Sequence, residues 1–321
     1  MRKLICLGLL LLSVPLNALA QGETYEQLVK RYDYDRSTPL DVKETSVVRR
    51  EGGVRVHDIS YASLKGGRVP AYLVVPEGKG PFAAILYGHW AMTGSPMKNR
   101  TEFLDEAVAL ARAGAISLLP DAPFARPGFK QTTPPFDPRD IELYFQQVMD
   151  MRRGVDLLLA RKDVDASRVA YVRHSYNANV GGVLAGVEKR IKTFVLMAGS
   201  LSDAEDLRSD HPEMVKLRES VGNEKIEQII RETNWQNPAN FIGHAAPASV
   251  LLQYAYEDGF LDEARDRRYF ALVSEPKELK FYKAGHALNA EARRDRYEWL
   301  RQKIGLRKLD RAILDQVKEV K

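Results

Sequence analysis

The sequence predicts an α/β fold: a mostly parallel central sheet with an antiparallel N-terminal meander and helices on both faces. Three observations predict it. Up to residue 76, strand-like runs are separated by glycine pairs. After Pro81, continuous apolar runs alternate with amphipathic helical stretches, the pattern of parallel strands joined by crossover helices. One of those runs, Val169 to Val172, stops abruptly near Ser175, where a helix of small residues begins.

The elements follow in order. Residues 1–20 carry a basic start (Arg2, Lys3), an apolar run from Leu4 to Leu16 and an Ala18-Leu19-Ala20 cleavage pattern. This is the form of a secretory signal, too short for a spanning helix. The expected mature protein is therefore secreted or periplasmic, with no membrane segment after signal cleavage. Residues 21–44 form a lead-in with one short helix. The main domain runs over 45–307. Its meander is SVVRR (46–50), VRVHDISYAS (54–63) and RVPAYLVVP (68–76), parted by Gly52-Gly53 and Gly66-Gly67. FAAILYG (82–88) is apolar throughout, as a strand buried on both faces must be. TEFLDEAVALARAG reads as a helix before the strand AISLLPD, and a long helix over 140–161 precedes RVAYV. Further buried runs are TFVLMAG (193–199), SVLLQYA (249–255) and LKFYKAG (279–285), and a helix over 290–304 closes the alternation. Residues 200–245 interrupt it with two short helical patterns, either a small lid over the strand ends or ordinary crossover helices. Residues 308–321 read as a C-terminal helical tail.

Composition narrows the function classes. Cys6 is the single cysteine and falls in the signal, which leaves the mature chain without disulfides, cysteine chemistry or a thiolate metal site. The formal charge of +5 drops to about +3 once Arg2 and Lys3 are set aside. Basic residues are interspersed with acidic ones and form no stripe with aromatics, which argues against a nucleic-acid partner.

The chemistry centres on VAYVRHSYNANVGG (169–182). A strand ending beside Ser175 and a helix starting near Tyr176 place the serine on a sharp turn above the carboxyl end of the sheet. A free serine is a weak nucleophile and needs a base and an orienting carboxylate. On sheets of this type the chain order is serine, acid, histidine. Of the downstream histidines His211, His244 and His286, only His286 stands just past a buried strand and before a helix. Asp258, on the loop after SVLLQYA and next to Gly259, is the preferred acid over Glu257 and Asp262. The Tyr176 backbone N–H is one expected oxyanion donor. The other is expected from the loop after FAAILYG, at Trp90 or the adjacent His89. His89 lacks neighbours at metal-ligand spacing, and Asp121 reads as a loop cap. No cofactor or metal is implied, because triad chemistry requires none.

YGHW (87–90), QQVMDMRRGVDLLLAR (146–161), DVDASRVAYV with HSY-x-A (163–178), the Asp258 loop and AGHAL (284–288) resemble an α/β-hydrolase of the dienelactone-hydrolase-like type. That group shades into acetyl xylan esterases and prolyl-oligopeptidase-like catalytic domains. The resemblance covers roughly residues 35–307. It implies a Ser175–Asp258–His286 triad and hydrolysis of a small-molecule or carbohydrate-linked carboxylic ester. The sequence departs from the family where G-x-S-x-G is usual: Arg173 and Asn177 replace the outer glycines. Two functions are therefore open: an exported serine esterase, and a catalytically impaired binding protein on the same fold. Arg173 poses the sharper problem, since an unpaired buried charge is costly and its guanidinium would compete with His286 for Asp258.

Overall fold

In the computed structural model the described residues are 23–92, 94–130, 138–200, 202–260 and 262–319, and the side chains of Pro138, Asp140, Asn177, Asp203 and Glu213 are not described. The expected signal, 1–20, lies outside the described residues, as does the side chain of Asn177.

The elements are α1 (Tyr25–Lys30), β1 (Lys43–Arg49), β2 (Arg55–Ala62), β3 (Arg68–Val75), β4 (Phe82–Gly88), α2 (Leu104–Arg112), β5 (Ala115–Pro120), α3 (Pro138–Leu159), β6 (Val164–His174) and α4 (Tyr176–Val187). They continue with β7 (Thr193–Met197), α5 (Asp203–Arg208), α6 (Pro212–Val221), α7 (Asn223–Thr233), β8 (Ser249–Ala255), α8 (Glu263–Leu272), β9 (Lys277–Tyr282), α9 (Ala290–Ile304) and α10 (Arg311–Asp315). One sheet of nine strands has the order β1-β2-β3-β5-β4-β6-β7-β8-β9. β1, β2, β3 and β5 pair antiparallel, and β5, β4, β6, β7, β8 and β9 pair parallel. The mostly parallel sheet with an antiparallel N-terminal meander is thus the architecture the sequence predicts. Boundaries move by a few residues: the long helix starts at Pro138 and ends at Leu159, and β6 runs on to His174.

Successive strand residues face opposite sides, which divides the core in two. Leu86, Tyr171, Leu196 and Leu252 pack under α3 and α4 with Val148, Val155 and Leu184. Ile85, Val172, Val195 and Leu251 pack on the other face against α2 and α9 through Leu110, Ala292 and Leu300. β4, β5, β7 and β8 are buried at every residue, which explains their unbroken apolar runs. The segment between β7 and β8 has a small core of its own, Leu207, Ile226, Ile229 and Ile230.

Parallel strands with right-handed crossovers bring all their following loops to one edge. The loops after β4, β6, β8 and β9 therefore converge at the carboxyl end of the sheet, the usual location of a ligand crevice in such folds.

Candidate active site

Ser175 sits between β6 and α4 with φ 57° and ψ −130°, a backbone conformation rare for a residue with a side chain. The surroundings hold it there. The Ser175 N–H donates to the Met197 carbonyl at 2.8 Å and its carbonyl accepts from the Ala178 N–H at 2.7 Å. α4 also passes very close to the end of β7: a Cβ on Gly199 would lie 2.2 Å from the Ala178 Cβ and 2.8 Å from the Ser175 carbonyl oxygen. Such strain persists only where neighbours over-determine the conformation.

The three residues selected from the sequence meet here. His286 Nε2 is 2.7 Å from Ser175 Oγ, and His286 Nδ1 is 2.8 Å from Asp258 Oδ2. A carboxylate accepts, so Nδ1 carries the proton and Nε2 is free to accept from the serine hydroxyl. The other Asp258 oxygen accepts from the Phe260 N–H at 2.9 Å. The Asp258 side chain is 1 % exposed and that of His286 11 %, so the acid is shielded while the base faces the site. Asp262, passed over as the acid, caps α8 by accepting from the Arg265 N–H.

The oxyanion expectation needs one correction. The Tyr176 N–H opens α4, as expected, but the Trp90 N–H donates to Glu102 Oε2 and does not face the serine. A carboxylate twelve residues further along the chain takes this donor, a contact that strand and loop patterns do not reveal. Ala91 and Met92, next along the loop, line the cavity with Ser175 and Tyr176. His89 braces the same loop: Nδ1 donates to the Trp90 carbonyl at 2.8 Å and Nε2 accepts from the Ala122 N–H at 3.0 Å. Burial pushes its pKa down to about 3, so the ring is neutral, with both nitrogens occupied. Asp121 accepts the Arg100 N–H at 2.8 Å and so ties down the segment after this loop.

A cavity of about 570 Å³ opens over Ser175 and His286. Apolar walls come from Met92, Ile141 and Tyr144 and, across the cavity, from Leu207, Met214 and Ile229 of α5, α6 and α7. Phe260 packs on the His286 ring with centroids 5.0 Å apart.

Arg173 does not reach Asp258. Its side chain is fully buried on the opposite side of β6 from His174, with its guanidinium over the Tyr171 ring at 5.0 Å from the centroid. Among the described residues no acceptor meets Nε, Nη1 or Nη2, and burial holds its pKa below the usual arginine value. Room for it comes from the neighbouring strand. Gly88 pairs with Arg173 in register, and a Cβ on Gly88 would lie 1.6 Å from the guanidinium carbon. The glycine missing from the elbow is thus replaced by one beside it. Gly88→Ala should destabilise the protein by about 1–3 kcal/mol, the usual cost of overpacking. The loss should largely vanish in an Arg173→Gly background. Urea unfolding of the two single variants and the double measures the coupling, and additive losses would show that the two positions do not share one space.

Asp266 on α8 is a second acid beside Asp258. It is 1 % exposed, its Oδ1 has no hydrogen-bond partner among the described residues, and burial followed by the Asp258 charge pushes its pKa up to about 8. The folded state therefore keeps a proton that the unfolded chain releases near pH 4. Stability should fall as pH rises from about 4 to 8 on this account and level off above that. Asp266→Asn should leave the melting temperature unchanged near pH 4 and raise it by roughly 10 °C at pH 8. An equal shift at both pH values, read by calorimetry, would remove the titration from the explanation.

No family model matches the chain, and no curated protein matches it. Solved structures do match. An acetyl xylan esterase from Paenibacillus sp. R4 superposes with a TM-score of 0.69 at 18 % identity, over 87 % of this chain and 92 % of that one. Acetyl Xylan Esterase 1 from Thermoanaerobacterium sp. JW/SL YS485 gives 0.67 at 16 % identity, again over 87 % and 92 %. A protein of Klebsiella pneumoniae subsp. pneumoniae MGH 78578 described as a dienelactone hydrolase gives 0.54 at 15 % identity, over 81 % of this chain and 99 % of that one. The chain has the α/β-hydrolase fold, in the form it shares with acetyl xylan esterases and dienelactone hydrolases.

Proposed function

We propose that this protein is an exported serine hydrolase that cleaves carboxylic esters through an acyl-enzyme. The observation that carries the reading is the continuous hydrogen-bond chain Ser175–His286–Asp258 on a strained strand-to-helix turn. His286 Nε2 takes the serine proton as Oγ adds to the ester carbonyl carbon. Asp258 keeps the Nδ1 tautomer and stabilises the imidazolium that forms. Negative charge on the carbonyl oxygen is held by the Tyr176 N–H, at the positive end of α4, and by the Ala91 N–H in the role first expected of Trp90. The imidazolium then protonates the leaving alcohol. Water, deprotonated by His286, hydrolyses the acyl-enzyme and returns the proton to Oγ.

The apolar cavity supports an ester with a sizeable apolar part, since drug-sized ligands occupy cavities of about 300–1,000 Å³. A carbohydrate-linked ester is the second substrate class, supported by the acetyl xylan esterases that share the fold. A fluorophosphonate probe should label Ser175. Ser175→Ala should abolish labelling and lower kcat for p-nitrophenyl esters by about 10⁶-fold, and Asp258→Asn by about 10⁴-fold. Folded protein that resists the probe and turns over no ester would sink this reading in favour of a binding protein. Among unbranched p-nitrophenyl esters, hexanoate should exceed acetate in kcat/KM. The reverse order would assign the cavity to the alcohol portion.

Export rests on residues 1–20. Terminal sequencing of protein recovered from a bacterial periplasm should begin at Gln21. Protein retained in the cytoplasm with Met1 intact would contradict it.

A further inference from the structure

On the face of β6 opposite Arg173, beside the elbow, lies a second imidazole–carboxylate pair that the reaction above does not use. His174 Nδ1 is 2.6 Å from Glu102 Oε1, and both side chains are fully buried. His174 Nε2 is 2.8 Å from the main-chain oxygen of His286. The other Glu102 oxygen accepts the Trp90 N–H. The Trp90 ring stacks on His174, with centroids 5.0 Å apart and planes at 20°. It also lies nearly parallel to His286, at 6.4 Å and 8°. One pair therefore touches the loop after β4 and the loop carrying His286, and is joined through the chain to Ser175.

The partners fix the protons. A main-chain carbonyl only accepts, so Nε2 must donate to His286 and carry a hydrogen. Oε2 accepts from Trp90, so it carries none. That leaves one proton between Nδ1 and Oε1. On the ring that proton makes an imidazolium–carboxylate pair and on the acid a neutral pair, and both hydrogen bonds are kept either way. Either form leaves the buried pair with no net charge.

We propose that His174 is a positioning residue which, clamped by Glu102, holds the His286 loop and the loop after β4 in register with Ser175. The proposal rests on the esterase reading for its catalytic consequence and on the hydrogen bonds alone for the clamp. Displacing a reacting group by about 1 Å can cost 10²-fold in rate. His174→Phe keeps an aromatic ring against Trp90 but loses both hydrogen bonds. It should lower kcat about 10–100-fold, as loss of an orienting partner does, with KM nearly unchanged. Glu102→Gln offers a carbonyl to Trp90 and an N–H to a neutral His174 whose Nε2–H still reaches His286. It should therefore retain far more kcat than Glu102→Leu.

The deciding measurement is the ¹⁵N NMR spectrum of histidine-labelled wild-type protein near pH 7, with His174 assigned by its substitution. A proton on His174 Nε2 supports the clamp. A His174 Nε2 without a proton overturns it, and so does His174→Phe with unchanged kcat while Ser175 still takes up the fluorophosphonate. Should His174→Phe fail to fold, the wild-type spectrum and the two Glu102 variants decide. Protonation at Nε2 in a protein whose Ser175 resists the probe would uphold the clamp and defeat only the esterase reading.

Discussion

The structure is organised around one strained residue. Ser175 has a positive φ that its side chain disfavours, and it is held between a strand and a helix that cannot separate. β6 is locked between β4 and β7, and the Ser175 N–H is pinned to Met197 on β7. α4 is pressed onto the same strands: a Cβ on Gly181 would lie 2.4 Å from a Leu196 methyl carbon. The consequence is chemical. On the esterase reading, the turn lifts the hydroxyl above the sheet and directs the first N–H groups of α4 toward the same point, so nucleophile and anion site would come from one constraint.

Space around the elbow is conserved in total and redistributed. Elbows of this type use glycine two residues before the serine. Here that position holds Arg173, and the volume it needs is vacated by Gly88 on the adjoining strand. The guanidinium has exchanged water for an aromatic face and no ion pair among the described residues, an arrangement that costs stability. It leaves the His286–Asp258 bond intact because β6 turns Arg173 and His174 to opposite faces. The two faces beside the elbow are thus polar in different ways. One carries the Arg173 cation, the other a closed pair, Glu102 and His174, whose hydrogen bonds end on the two loops that complete the site.

The acid and base come from the far side of the sheet. Asp258 follows β8 and His286 follows β9, and parallel pairing of these strands sets their loops side by side. The base is shared between two supports, Asp258 through its ring and His174 through its main chain. Over them, α5, α6 and α7 form a small layer with its own apolar core and contribute one wall of the cavity. On the esterase reading, specificity resides in the inserted helices and chemistry in the strand ends beneath them.

The sequence by itself determined the architecture and the identity of the three residues that meet. Period and burial write themselves into composition: strands buried on both faces must be apolar throughout, and loops at strand ends can be ordered along the chain. Ser175, Asp258 and His286 were legible because each is tied to the end of a particular strand. What only the tertiary structure decided were contacts between segments with no local signature. Glu102 stands in an ordinary helix approach, yet it takes the N–H of Trp90, the donor expected to face the serine. Gly88 closes an apolar strand run and leaves a space for Arg173. His174 stands beside the serine in the chain and is tied to His286 across the sheet. A pattern along one chain records what each residue must face, whereas hydrogen bonds and steric exchange between strands depend on which chain segment arrives there.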